Sequence, residues 1–290
     1  MKLLKRNIDI TSLSNFKTKA SANYYYEINN ENDLGNLSEI NKFSKDNNLK
    51  ILFIWWWTNL LFAFNVFDWI VIKNSLNWWN FSDQILNSYS NVLISDIAYE
   101  LEHKYNENIW HRFIWLPWSV WWAVYWNAGC FWLETESNFL EAHLYNLETW
   151  QVEIFNKNEM EFSYRSSFIK NKSLYFIIKV VFDLSSKIEK YHSDVDNLDF
   201  RENKQPKWNT CWSFFKNPSK ENSAWSLIES VWLKWFKIWG AFFSPLHANF
   251  LMNDWTWTYN DLLELISLAQ NKVKINKWFD LVPEVRIIFN

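Results

Sequence analysis

Glycine is nearly missing: the 290 residues contain three, where ordinary usage of about 7% would supply roughly 20. Glycine provides the positive φ of tight turns and lets backbone approach a ligand closely. A chain this long without it must turn its corners on some other residue. Cysteine is scarce as well. Cys130 and Cys211 lie far apart and form neither a C-x-x-C pair nor a disulfide framework, which fits a reducing cytoplasm and indicates no zinc or other metal site. Neither charge sign dominates: 29 Lys and Arg against 32 Asp and Glu leave a net charge of -3 with no long block of either. Nucleic acid is therefore not an expected partner. The basic start MKLLKRNIDITSLSNFK is interrupted by Asn7, Asp9 and Thr11 before any apolar stretch can form, so no signal peptide is expected.

What is abundant is tryptophan, at 23 residues. These sit where glycine belongs. Trp150 lies between two strand-like runs in NLETWQVEIF, and Trp232 and Trp235 follow a helix-like segment at its expected C-cap. A single reassigned codon accounts for both anomalies, because UGA is read as tryptophan in one variant genetic code and as glycine in another. Each tryptophan is accordingly read as a glycine position. Taken literally, the indoles would instead be sugar-binding platforms or a membrane-interface belt, and ILFIWWWTNLLFAFNVFDWIVI approaches membrane-spanning length. Asn59, Asn65 and Asp68 fall inside that run, and polar groups are expensive in lipid. Strand, turn and second strand is the better reading, with no membrane association.

The length suggests two or three compact units. Residues 1–74 carry a β-α-β rhythm: an extended start, the polar helix-like NDLGNLSEINKFSKDNN, the strand KILFI and, after a would-be glycine loop, the strand WIVIKN. Residues 75–186 read mostly as strands, in SNVLISD, SVWWAVYWNAG, FLEAHLYNLE, QVEIFN and SLYFIIKVVFDLS, with a helix around IAYELEHKYN. Residues 187–204 are polar and form a linker. Residues 205–290 are α plus β, with helical spacing in SAWSLIESVWLKW and TYNDLLELISLAQNKVKINK and a closing strand in VPEVRIIFN.

Two segments point to a phosphate-bearing cofactor. With glycine for tryptophan, WWWTN at 55–59 becomes Gly-Gly-Gly-Thr-Asn between apolar strands, which is either a pyrophosphate cradle or a flexible turn. The second, WLPWSVWWAVYWNAGCFWLE, becomes G-LPGSVGGAVYGNAGCFG-LE. Together they resemble the two flavin-binding segments of the UDP-N-acetylenolpyruvoylglucosamine reductase family, whose first segment reads GGGSN. Thr58 is thus a conservative departure from serine, while the family's N-terminal Gly-Gly is missing from FKTKASANYYY. The resemblance runs from about Phe16 to the terminus. It implies an α+β chain: a two-subdomain FAD-binding fold of the PCMH, vanillyl-alcohol-oxidase-like type, then a C-terminal α+β substrate-binding domain. The cofactor-binding residues it implies are Trp55, Trp56, Trp57, Thr58, Asn59, Leu60, Pro117, Trp118, Ser119, Val120, Trp121, Trp122, Asn127, Ala128 and Gly129.

The same resemblance assigns catalytic roles. In EFSYRSSF, Arg165 would face the substrate carboxylate and the developing enolate, with Tyr164 beside it at the substrate. In TCWSFFKNP, Ser213 is the implied proton donor, and Lys216 and Asn217 are implied substrate contacts. Glu284 in LVPEVRIIF would assist protonation and polarise the enol; taken alone it reads as an exposed strand glutamate. Serine is a weak acid, so it needs a polarising neighbour, and Lys216 is the candidate. His247 is expected to pack or to bond a carbonyl, and His103, His111, His143 and His192 to be structural or solvated. Neither cysteine has an evident base.

The implied enzyme is an FAD- and NADPH-dependent reductase of UDP-N-acetylglucosamine enolpyruvate, acting as a cytoplasmic monomer in peptidoglycan precursor synthesis. The alternatives are another FAD-linked oxidoreductase of the same superfamily and, if the tryptophans are genuine, a non-enzymatic carbohydrate-binding or membrane-surface protein.

Overall fold

The structure is a computed structural model and describes residues 2–54, 59–116, 118–172, 174–185, 206, 210–219, 221–254, 256 and 258–290. In chain order the elements are β1 (Lys5–Asp9), β2 (Ser21–Ile28), α1 (Leu37–Asp46), β3 (Ile51–Ile54), β4 (Leu60–Phe62), β5 (Val66–Asn74), β6 (Trp79–Ser82) and β7 (Ile85–Tyr89). There follow α2 (Ile94–Tyr105), α3 (Val120–Tyr125), β8 (Gly129–Cys130), β9 (Leu133–Glu134), β10 (Phe139–Asn146), β11 (Val152–Asn156) and β12 (Tyr175–Asp183). The last stretch holds β13 (Thr210–Ser213), α4 (Ala224–Ser230), β14 (Lys237–Ile238), β15 (Ala241–Phe243), β16 (Phe250–Asn253), α5 (Tyr259–Lys277) and β17 (Arg286–Ile288). Two compact units emerge: residues 26–57 with 71–201, and residues 2–25 with 58–70 and 202–290.

The first unit is built on a five-stranded sheet in the order β11-β10-β12-β7-β6, antiparallel throughout. Its central strand, YFIIKVVFD, carries an apolar run that is buried on both faces. β6 and β7 are joined through Asp83 and Gln84 at φ 51° and 63°, the paired positive φ of a primed hairpin turn. Trp110 packs edge-on against Phe182 at 4.8 Å, and both are buried in the core with Phe113, Leu144 and Phe176.

Two segments expected as strands are not strands. In SNVLISD the chain bends into α2 at Ile94, whose amide donates to the carbonyl of Trp118. SVWWAVYW is the short helix α3, started by Ser119, whose Oγ accepts from the Trp122 amide at 3.3 Å. A continuous apolar run has no readable period, so the capping serine decides the outcome. The other expected strands and helices form within a few residues of their reading, while the linker at 187–204 lies wholly outside the described residues.

The second unit packs the sheet β13-β16-β15-β14 with α4 and α5 around a core that includes Phe16, Phe214, Phe215, Leu227, Phe243, Leu251 and Leu265. α5 opens with a capping box in which Thr258 and Asp261 each bond the other's backbone amide. A separate parallel pair sets β17 against β4, with Arg286 opposite Leu60.

The backbone bears directly on the tryptophans. Trp115, Trp132, Trp150, Trp232, Trp235, Trp239 and Trp278 all have positive φ, between 48° and 69°, whereas no glycine does. Trp150 turns the chain between β10 and β11, Trp232 follows α4, and Trp278 is the left-handed C-cap of α5. All except Trp150 expose between 63% and 88% of their surface. A bulky L-residue in this region costs roughly 1–2 kcal/mol and is an outlier, whereas glycine occupies it freely. These indoles pack little and strain the backbone, which supports glycine as the residue that belongs there. Among the described residues no helix is long and apolar enough to cross a membrane.

Candidate active site

In the first unit, the Tyr164–Arg165 pair occupies the tip of a tight turn. Ser163 and Ser166 exchange backbone hydrogen bonds of 3.1 and 3.0 Å, and Arg165 takes φ 54° at the corner. Its guanidinium Nη2 donates to the Gly129 carbonyl at 2.9 Å and sits 5.0 Å from the Tyr164 ring, while Lys170 Nζ donates to the Arg165 carbonyl. The turn is tied down by Asn127, fully buried, whose Nδ2 donates to the Ser163 carbonyl and to the carboxylates of Glu134 and Glu136. Gly129 pairs with Glu134 across β8 and β9. A Cβ at Gly129 would lie 2.7 Å from Glu134 Cγ and 2.8 Å from the Leu133 carbonyl, so this glycine is required by close approach. Burial raises the Glu134 carboxyl above its ordinary range, a hydrogen bond with Glu136 adds to this, and the positive charge of Arg165 opposes it. Sequence reasoning missed Glu134 and Glu136; their only signal was their position four and six residues after Cys130.

In the second unit, three segments distant in sequence meet. The Glu284 amide donates to the Phe214 carbonyl at 2.7 Å, Phe215 forms a bridge with Pro283, and the Lys216 amide donates to Val282. The segments carrying Ser213 and Glu284 are thus laced together. The Arg286 amide then donates to the Asn59 carbonyl at 2.9 Å where β17 joins β4, bringing Asn59 alongside. Ser213 and Glu284 are both half-buried. Asn217 also supports the fold, since its Oδ1 accepts from the Ala224 amide at 3.0 Å and so holds the start of α4.

His247 packs, one of the two roles expected of it. Its Nδ1 accepts from the Asn249 amide at 3.3 Å and its ring lies 4.6 Å from that of Phe250. Burial pushes it down to about 4, with Lys234 adding to the effect and Glu229 opposing it. A histidine held neutral contributes stability that is fully present above its unfolded value of 6.5 and lost as pH falls through about 4. The contribution is roughly 1–3 kcal/mol. His247→Asn should therefore move the midpoint of acid unfolding to lower pH; an unchanged midpoint would exclude His247 as the trigger. Cys211 is wholly buried and its thiol is pushed up by desolvation, whereas Cys130 is half-buried and donates to the Arg112 carbonyl. A thiol reagent should modify Cys211 only as fast as the second unit unfolds, and immediate loss of its thiol would contradict this packing.

Of the implied cofactor residues, Trp55, Trp56, Trp57, Thr58 and Pro117 lie outside the described residues. Ser119, Val120, Asn127, Ala128 and Gly129 are gathered in the first unit around α3 and the β8–β9 pair, and Asn59 and Leu60 are buried in the second unit. The first amides of α3 are committed to the protein: Val120 donates to Val92, Trp121 to Ser90 and Trp122 to Ser119. A ligand at this segment must therefore meet its side-chain positions. Those are filled by indoles. Trp121 and Trp122 are buried, the former stacked on Tyr125 at 4.6 Å, and Trp118 Nε1 is buried with no hydrogen-bond partner. A close-lying isoalloxazine does not fit the segment as written.

The C-terminal domain model of UDP-N-acetylenolpyruvoylglucosamine reductase matches residues 204–288. The reductase of Chlamydia pneumoniae is 30% identical over 292 residues, covering 98% of this chain and 92% of that protein, and the reductase of Aquifex aeolicus is 27% identical over 99% and 95%. With the reductase of Fervidobacterium nodosum the identity is 34%, and there the chain spans only 56% of the relative's length. The crystal structure of the reductase (MurB) from Thermus caldophilus superposes with a TM-score of 0.78 over 98% of this chain and 99% of that one, at 18% identity. The fold is accordingly the α+β arrangement of that protein, a PCMH-like FAD-binding framework with a C-terminal domain. From the relatives matched along nearly their whole length, the chain belongs to the UDP-N-acetylenolpyruvoylglucosamine reductase family.

Proposed function

We propose that the enzyme encoded here, with glycine at its UGA positions, reduces UDP-N-acetylglucosamine enolpyruvate to UDP-N-acetylmuramate in peptidoglycan precursor synthesis. The observation that carries the proposal is the lacing of the Ser213 and Glu284 segments in the second unit, through the Glu284 amide on Phe214 and the Phe215–Pro283 bridge. FAD is the cofactor of the family and NADPH its reductant; the chain's own residues supply charge and a proton. Addition of hydride to the enolpyruvyl methylene carbon leaves carbanion character beside the carboxylate. Arg165 stabilises that charge electrostatically, Glu284 polarises the enol, and the Ser213 hydroxyl gives its proton to the α-carbon. Lys216, three residues on, favours the departing proton by its positive charge, and Tyr164 and Asn217 contact the UDP-sugar. Trp55, Trp56, Trp57, Thr58, Asn59, Leu60, Pro117, Trp118, Ser119, Val120, Trp121, Trp122, Asn127, Ala128 and Gly129 line the flavin, with glycine replacing each indole.

The division at residues 74, 186 and 204, a monomeric state and a cytoplasmic location belong to the same reading. Lys216→Met should lower turnover and shift the pH profile of the reductase; a variant with wild-type turnover and profile would remove Lys216 from the proton-delivery step. The whole reading is tested by NADPH oxidation that depends on UDP-N-acetylglucosamine enolpyruvate, with UDP-N-acetylmuramate identified as product.

A further inference from the structure

Around the Tyr164–Arg165 turn the first unit carries polar groups that the proposed chemistry does not use. The two N–H groups of the Asn127 amide nitrogen face three acceptors, one of them shared: Glu134 Oε2 at 3.1 Å, Glu136 Oε1 at 3.0 Å and the Ser163 carbonyl at 3.3 Å. Its Oδ1 accepts from the Glu136 amide at 3.1 Å. A fully buried amide with every polar atom committed is a rigid joint, because leaving any of these groups unpaired in the interior costs about 1–3 kcal/mol. One arm of the joint holds the turn whose corner is Arg165. The other brings the carboxyl groups of Glu134 and Glu136 together on the same amide nitrogen. Arg165 in turn donates to the carbonyl of Gly129, the residue paired with Glu134 and packed without a Cβ against its Cγ.

We propose that Asn127, Glu134 and Glu136 form a positioning device that fixes the guanidinium of Arg165. Asn127 sets the height of the turn through Ser163, Gly129 supplies a fixed acceptor, and the negative charge of the carboxyl pair holds the guanidinium over β8 and β9. Its electrostatic contact with Glu134 is weakened when the Glu134 carboxyl is protonated. The charged groups facing Glu134 are Glu136, on the following turn, and Arg165; Lys170 approaches the Arg165 carbonyl from the next turn. The proposal rests on the reading of Arg165 as the residue that meets the substrate carboxylate, and its test does not depend on turnover.

The test is NMR of the full chain with labelled arginine guanidinium and glutamate carboxyl groups. Restricted rotation of Arg165 gives separate Nη resonances, and these should titrate together with the Glu134 carboxyl at a midpoint above 4.5, the ordinary glutamate value. In Glu136→Gln that midpoint should fall. In Glu134→Gln, guanidinium rotation should quicken about tenfold while backbone amide resonances keep their positions, as loss of a charge-assisted restraint predicts. Arg165 resonances indifferent both to the wild-type titration and to Glu134→Gln would overturn the proposal, and the wild-type titration decides even if the variant does not fold. Reductase assays of the glycine-restored chain provide the separate readout. Coupled resonances with no substrate-dependent turnover leave the device standing and remove the reductase reading.

Discussion

A chain with glycine in place of every tryptophan will bind FAD and turn yellow, whereas the chain as written will purify colourless. The expected difference comes from space. Trp118, Trp121 and Trp122 place indoles in the segment proposed to meet the flavin, two of them buried against Tyr125 and Trp126, and over-packing on that scale costs about 1–3 kcal/mol per site or more. A gain in stability will accompany the gain in binding. Among the described residues seven tryptophans hold positive φ; relieving each should return roughly 1 kcal/mol after the greater unfolded-state entropy of glycine is subtracted. Because the sites are dispersed, their effects should add approximately, raising the thermal midpoint by about 10 °C or more. The contrast is checked by visible absorption of the two purified proteins and by their melting curves. Equal flavin content and equal midpoints would show that the indoles are native and accommodated.

The second large effect concerns Ser213. In the glycine-restored chain, Ser213→Ala should lower turnover by about 10²–10⁴-fold, the range expected when a positioned proton donor is removed. Reduction of the bound flavin by NADPH should continue at its former rate, because Ser213 acts only after hydride has left for the substrate. Steady-state turnover and a rapid-mixing measurement of flavin bleaching separate the two steps. Loss of both would assign Ser213 to flavin binding, and loss of neither would move the proton donation elsewhere.

Much of the fold was legible in the sequence, and the candidate site residues stand in short contiguous strings. Ser-Phe-Phe-Lys-Asn-Pro and Pro-Glu-Val-Arg single out candidates without a structure, and the glycine deficit showed that Trp150 and Trp232 stand at corners, where positive φ is found. Strands with clear boundaries, such as QVEIFN and SLYFIIKVVFDLS, were equally plain. α3 was not, because an apolar run buried on every side has no period that separates helix from strand, and only the hydrogen bond from Trp122 to Ser119 reveals the turn. The carboxyl pair at Glu134 and Glu136 was hidden for a different reason. Its partners Asn127, Ser163 and Arg165 are brought together by the packing of a helix, a two-residue strand pair and a separate turn, and no spacing in the sequence encodes that. Asn217, proposed as a substrate contact, also holds the start of a helix, so its substitution will mix stability with any effect on activity.

The most direct test of the reductase assignment is to supply the glycine-restored chain with NADPH and UDP-N-acetylglucosamine enolpyruvate and to follow NADPH absorbance while identifying the product. The expected result is NADPH oxidation that requires the enolpyruvyl sugar nucleotide and yields UDP-N-acetylmuramate. A folded, flavin-loaded protein that leaves the substrate unchanged would contradict it.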